Sequence, residues 1–352
     1  MQIDMHFYAT YAVARLAGLS QESAQTVATA AQFVDDATDN NSEKNTNNEM
    51  LFAICTAHHL AQSAQISLTH EDVHRLVWVP FHFFPAGQGE TLEEKLVCQT
   101  DSGLVNEMFT NHLGASNKSF YLHLLGIASH VYMDTFSHYG FAGLCSPINE
   151  VNGSSINLHV QSDDTHSYIF NKALKFWNKC EAEVMSLGGE MGSRGLGHGA
   201  VATYPDRPYL TWDFNYESAD YTRSMHSGER DNQATFWQAL VRLHAKISAA
   251  IPHLSDQQTA PQPLPEQAIK AILAFEGGKE ERVEKWQQFI QEHLGDGLVE
   301  YQGDEWNKQK TEFDSLPTPE HIGDCYRFHQ AASFHRWYVL KDLLPEHGIY
   351  VV

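Results

Sequence analysis

HLLGIASHVYMDTFSHYGFAG, residues 123–143, is the stretch on which the reading of this chain turns. Three polar residues, His130, Asp134 and His138, recur at i, i+4 and i+8 among Leu124, Leu125, Ile127, Ala128, Val131, Phe136 and Phe141. On an α-helix that spacing sets successive side chains about 40° apart around the axis and about 6 Å apart along it. All three share one stripe. With apolar flanks the stripe faces the interior, where unpaired charge is costly. A carboxylate with one imidazole a turn above and another a turn below can bridge two cations about 3.5–4 Å apart, each histidine serving one of them. The plainer reading is a buried histidine satisfied by a neighbouring acid.

Outward from this helix, the pattern stays helical. Apolar and small residues from Tyr8 to Leu16 stop at Gly18, and Ser20 can cap a second helix through Ala24, Val27, Ala31 and Val34. DDATDNNSEKNTNNEM, residues 35–50, is an exposed loop by composition. LVWVPFHFFP, residues 76–85, carries two prolines and predicts a buried extended segment in preference to a helix. Residues 186–208, with six glycines, are irregular, and residues 232–250 form a helix that Asn232 can cap. A proline-rich stretch, residues 252–266, predicts a linker between a helical metal-binding domain, residues 1–251, and a C-terminal helical extension, residues 267–352. With no βαβ alternation, the expected class is mainly α: a long helical core with a C-terminal helical extension.

Further candidate ligands lie at a distance from the central helix. Asp35 and Asp36 end the second helix, where two acids face the negative end of the macrodipole and each other unless a cation or donors relieve them. His6 precedes the first helix in MHFY, and His82 lies in the apolar PFHFFP. A lone histidine of this kind is more often a satisfied core residue than a ligand. His198 sits among glycines in GLGHG, and Asp206 follows in a PDRP turn. Arg207, beside it, offers either a planar donor fork to a phosphate or a surface charge. His159 and Asp163 repeat the HxxxD spacing in a polar context and are set aside.

The 352 residues include 44 Asp and Glu against 23 Lys and Arg, a formal net charge of −21, together with 21 His and five cysteines. Such a surface repels a phosphate backbone, so nucleic acid is not an expected partner. The scattered cysteines form no CxxC pair, and no signal or transmembrane run is visible, which points to free thiols in the cytoplasm. Histidine, not cysteine, supplies the metal chemistry.

In their order, these pieces resemble the helical zinc-dependent phospholipase C and single-strand nuclease superfamily. More closely, FYATYAVARLAG, QFVDDATD, PFHFFP, HVYMDTFSHYGFAG and GLGHG…PDRP resemble an uncharacterised bacterial family over most of residues 1–240. The superfamily resemblance implies a helical bundle holding up to three zinc ions. Its positions here would be His6, Asp35 or Asp36, His82, His130, Asp134, His138, His198 and Asp206. Three features depart from the superfamily pattern, one of them the shorter spacing after the HxxxD acid, with three residues between Asp134 and His138. The superfamily's N-terminal ligand is a residue freed by signal cleavage, for which His6 would substitute, and its last His-x-x-x-acid helix is replaced by His198…Asp206.

The leading expectation is a metal-dependent hydrolase of a small phosphorylated substrate. Two zinc ions, or three, would activate water, with whichever of Asp35 and Asp36 is not a ligand acting as base and Arg207 contacting substrate. The alternatives are a metal-stabilised helical scaffold protein without catalysis and an HD-type phosphohydrolase. The latter lacks its signature, since no His-Asp dipeptide occurs in the chain.

Overall fold

The Ser20 hydroxyl accepts a hydrogen bond from the Ser23 amide and so caps the second helix of an N-terminal hairpin. That hairpin comprises α1 (Thr10–Leu16) and α2 (Gln21–Asp36), joined through Gly18 at φ +111°. A π-helical turn, Asp4–Ala9, leads into α1 and is buried throughout. The computed structural model describes residues 1–44, 49–58, 74–186, 197–217, 224–254, 259–313 and 323–351, except for the side chains of 176, 177, 179–186 and 253. The parts of the 35–50 loop, the Gly-rich segment and the linker that fall between these ranges lie outside the described residues.

The remaining long helices are α3 (Gly103–Leu113), α4 (Tyr121–Ser137), α5 (Asp163–Ser186), α6 (Asn232–Ala250), α7 (Glu266–Leu273), α8 (Lys279–Phe289), α9 (Gly303–Thr311) and α10 (Asp324–Trp337). The expected central helix is α4, buried at every residue except Leu122. A helix that is enclosed on all sides needs neighbours all round. Here α2, α3, α6 and α10 surround it. Its crossing with α2 is close because residue 126 is glycine: a Cβ there would collide with the Val27 carbonyl and the Ala30 methyl group. One apolar core runs from Met5 and Phe7 through Leu124 and Phe136 to Trp286, Phe328 and Leu343. The C-terminal helices therefore pack on the same core as α4.

The all-helical bundle expectation is overturned by two antiparallel sheets. The smaller pairs β1 (Glu43–Lys44) with β2 (Met50–Leu51). The larger has four strands: β4 (Thr211–Glu217) pairs with β3 (Asn152–His159) on one side, and with β5 (Ser224–His226) and β6 (Arg230–Asp231) on the other. The chain is therefore mixed α and β. Trp212, Phe214 and Tyr216 alternate along one face of β4 and, with Phe83, Phe141, Ile169, Val201 and Leu210, build a second apolar cluster. That period-2 signal lay in TWDFNYE. In β3 it is obscured by Ser and Asn, and most of that strand is exposed.

Two local readings also change. Residues 76–85 are helical in part, with a π-turn His74–Trp78 and a short α-helix Val79–Phe81 that admits Pro80 in its first turn, where no backbone N–H is needed. The cap of α6 is Asp231, whose side chain accepts from the Ala234 amide. Asn232 is buried and donates to the Tyr204 and Arg207 carbonyls at 2.8 Å, pinning the turn that carries Asp206.

Candidate metal centre

Three surfaces converge at the C-terminal half of α4. The π-turn before α1 brings His6, the end of α2 brings Asp35, and the residue after the short Val79–Phe81 helix brings His82. From the other side, the turns between residues 197 and 208 bring His198 and Asp206. Gly197 makes this approach feasible: at φ +53° it lies against Phe83, and a Cβ would overlap that ring. Arg230 holds the end of α4 by donating to the Ser137 and Tyr139 carbonyls at 3.1 and 3.0 Å. His138, the C-cap residue of α4, is thereby fixed.

Asp134 is the hub. Its Oδ1 is 3.1 Å from His6 Nε2, while its Oδ2 is 3.4, 3.2 and 3.5 Å from His82 Nδ1, His130 Nε2 and His138 Nδ1. Asp206 Oδ1 is 3.2 Å from His138 Nε2, and its Oδ2 is 3.8 Å from His198 Nε2. Asp35 Oδ1 is 3.9 Å from His82 Nδ1. Ligand atoms within 4.8 Å of one another form three groups: His6, His130 and Asp134; Asp35, His82 and His130; and His138, His198 and Asp206. His130 belongs to two of them. The structure thus brings together every sequence-predicted ligand except Asp36.

Backbone carbonyls orient four of the five imidazoles. A carbonyl only accepts, so each ring nitrogen facing one carries the proton. His130 Nδ1 donates to Ala31 at 2.8 Å, His82 Nε2 to Thr56 at 2.8 Å, His138 Nδ1 to His82 at 2.9 Å and His198 Nδ1 to Ala202 at 2.6 Å. In each ring the other nitrogen is left with its lone pair towards the carboxylates, the arrangement that metal-ligating histidines need from their surroundings. His6 is different: it stacks on His130 with centroids 3.8 Å apart, and neither of its buried nitrogens has a hydrogen-bond partner. Asp134 Oδ2 is likewise buried and unpartnered.

Electrostatics follow from this crowding. Burial holds His6 well below the ordinary histidine value and His198 down at about 4, so both are neutral near pH 7. For Asp134, burial opposes ionisation, but His138, the Met1 amine and His130 outweigh it and hold the carboxyl well below its usual range. Asp206 behaves in the same way, with the Met1 amine and His198 opposing burial. Burial dominates at Asp35 and raises it. Burial also works against a charged His82, yet Asp134 and Asp35 win and raise its value.

Sequence reasoning missed several groups at the site. The α-amine of Met1 lies 2.8 Å from Asp134 Oδ1 and 3.3 Å from Asp206 Oδ1. Burial lowers that amine's affinity for its proton, but the surrounding carboxylates raise it to about 11. Tyr301 donates to Asp36 Oδ2 at 2.6 Å, and Gln32 Nε2 donates to the same oxygen at 3.2 Å, which turns Asp36 away from the imidazoles. Residue 301 is too remote in sequence for any local pattern to have shown this. Asp35, Asp36, Met1, Arg207 and Tyr301 line one cleft of about 790 Å³, together with Tyr168, Lys172 and Lys279. His159, set aside from the sequence, is on the exposed sheet edge and pairs with Asp213 at 2.8 Å.

Fold and site together define a mixed α/β protein in which a buried cluster of five histidines and three aspartates opens onto a polar cleft. The chain belongs to a family of unknown function, DUF6765, whose model matches residues 1–343. No curated protein and no solved structure matches it.

Proposed function

We propose that the protein is a metal-dependent hydrolase of a phosphoester, with two or three divalent ions of the zinc class held by His6, Asp35, His82, His130, Asp134, His138, His198 and Asp206. The carrying observation is the set of three ligand groups at the C-terminal half of α4, two of which share His130, with four of their imidazoles tethered by backbone carbonyls and the other ring nitrogen inward. Imidazole and carboxylate without thiolate suit zinc and its neighbours. The unpartnered nitrogens of His6 and the unpartnered oxygen of Asp134 are donors with nothing else to bind.

Such ions act as Lewis acids on phosphoryl oxygens and make water acidic enough to supply a nucleophile at neutral pH. The residues of the chain do the rest. Asp134 and Asp206 stay ionised, and His6 and His198, held neutral by burial, keep a lone pair available. Asp36, outside the ligand groups and in the cleft, is placed to take a proton, while Tyr301 and Gln32 fix its direction. Structural zinc sites are usually closed and often contain Cys. The described residues place no Cys in these groups, and the cleft reaches them. The cleft lining sets Lys172, Arg207 and Lys279 among Asp35, Asp36, Glu280 and Asp304, and the net charge of −21 disfavours a polynucleotide.

Among the described residues no helix is long and apolar enough to cross a membrane. Cys55, Cys98, Cys145 and Cys325 are free, which supports a reducing, cytoplasmic setting; the Cys180 side chain lies outside the described residues. The test is metal quantification of the purified protein alongside turnover of p-nitrophenyl phosphate and bis(p-nitrophenyl) phosphate. At least two ions per chain are expected, with turnover that a chelator stops and zinc restores. Protein that binds no divalent ion after incubation with zinc overturns the reading.

A further inference from the structure

The Arg207 side chain is an anomaly in so acidic a protein. It is only 3 % exposed, yet it forms no ion pair among the described residues. Its Nη1 donates to the Tyr209 hydroxyl at 3.1 Å and its Nη2 to Thr203 Oγ1 at 3.2 Å, both neutral acceptors, and its Nε has no partner among the described residues. A buried charge ordinarily finds a counter-charge, because the cost of leaving it alone runs to several kcal/mol. Arg207 nevertheless lines the cleft.

It is not alone there. Across the cleft wall, the Tyr168 ring on α5 lies between two cations, with Lys172 Nζ 5.1 Å and the Arg207 guanidinium 5.6 Å from its centroid. Lys172, first through its contact with the hydroxyl, lowers the pKa of Tyr168. Lys279, at the first turn of α8, lines the same cleft. Neither lysine has an ion pair among the described residues, although 44 acids are present in the chain. Three cations thus share the cleft with an aromatic ring, and the same lining holds Asp35 of the centre together with Asp36, Glu280 and Asp304.

We propose that Arg207, Lys172 and Lys279 form an anion subsite that takes a second anionic group of the substrate, apart from the phosphoryl group at the ligand cluster. The substrate class is then a small phosphoester that carries another phosphate or a carboxylate. Arg207 supplies a fixed planar donor, and the lysines supply mobile point charges at the mouth. A cleft of about 790 Å³ accommodates a molecule bearing two such groups. This assignment rests on the hydrolase reading for its place in catalysis but not for its binding chemistry.

The test separates the two. Calorimetry on the metal-stripped full chain, with inorganic phosphate and with succinate as probes, reads the subsite without the ions. Wild type should bind one anion per chain, and whichever probe binds more tightly identifies the second group as phosphate or carboxylate. Lys172→Met, an exposed change on α5, should weaken binding at least threefold. Arg207→Met should weaken it at least tenfold, and should Arg207→Met not fold, Arg207→Lys, which keeps the charge but loses the fork, should still cost threefold or more. Wild-type protein that binds neither probe, or variants that bind as wild type does, overturns the subsite. With zinc restored, 1,3-propanediol bisphosphate should show a KM at least tenfold below that of propyl phosphate, and Lys172→Met should narrow that gap; equal KM values in the wild type overturn its role in substrate choice. Absence of turnover with every phosphoester removes the hydrolase reading, and the calorimetry still decides the subsite.

Discussion

Asp134 Oδ2 lies 3.2 Å from His130 Nε2, one turn back on the same helix, and yet accepts no hydrogen bond. The His130 proton is already committed to the Ala31 carbonyl on α2, so two lone pairs face each other across a buried gap. Unrelieved, that contact is repulsive. A divalent cation held by His130 and Asp134 would relieve it, which is why this pair supports the metal reading.

Asp134→Asn keeps the shape of the side chain and removes the charge shared by the imidazoles around it. Metal content should drop by at least one ion per chain, and turnover should fall by about 10²–10³-fold or more. Asp163→Asn, at the exposed start of α5, has the same chemistry without the surroundings and should leave the metal content as in wild type. Inductively coupled plasma mass spectrometry on the two variants decides the matter, and equal metal in Asp134→Asn and wild type rules out the hub.

Metal removal should destabilise the fold in a pH-dependent way. A ligand bound only by the folded state and present at a thousand times its Kd stabilises by about 4 kcal/mol. Ligands bind metal in deprotonated form, and protons compete for the imidazoles as the pH falls. Chelator should therefore lower the Tm clearly near pH 7.5 and much less near pH 5. A chelator effect that is equal at both values, or absent at both, contradicts a histidine-rich centre.

Much of this centre was readable because α4 carries three of its members at helical spacing on one short segment. His130, Asp134 and His138 needed only the 3.6-residue period. His6, Asp35, His82, His198 and Asp206 emerged only as individually weak signals, and it took tertiary structure to bring them together. The choice between Asp35 and Asp36 was not legible, since it is made by Tyr301, 265 residues away from Asp36. The sheet was missed for another reason. TWDFNYE alternates cleanly, but its partners β3 and β5 are largely exposed and polar, so the pairing leaves little trace in hydrophobic pattern.

A second pH dependence should persist without any metal. His335 Nε2 donates to the Pro80 carbonyl at 2.8 Å, and its Nδ1 then accepts from His112 Nε2 at 2.9 Å. Protonating His335 would oppose two donors in a buried site, and burial holds its value down at about 4. A histidine with a folded value below its unfolded one contributes stability above about pH 6.5 and loses it as the pH falls towards 4, by on the order of 3 kcal/mol at most. Denaturant melts of chelated protein should show that decline, and His335→Gln, which cannot charge, should flatten it even as it lowers stability at pH 7.5. An undiminished slope in the variant would place the acid sensitivity elsewhere.

The C-terminal helices reach the centre through a buried clamp between Arg282 and Asp4. Arg282 on α8 is buried with Asp4, donating from Nε to Asp4 Oδ2 at 2.7 Å, from Nη2 to Gln2 Oε1 at 2.6 Å and from Nη1 to the Gly277 carbonyl at 2.8 Å. Asp4 opens the π-turn that carries His6, so this clamp sets where that imidazole stands. Removing one member of a buried pair leaves the other uncompensated and costs about 3–5 kcal/mol. Arg282→Met should therefore lower the Tm and also loosen His6, reducing the affinity for the ion it shares with His130 and Asp134. Adding Asp4→Asn to Arg282→Met removes the stranded carboxylate and should recover part of the Tm, whereas metal affinity should stay low because the clamp is still missing. Full metal affinity in folded Arg282→Met would show that the turn holds His6 without help from α8.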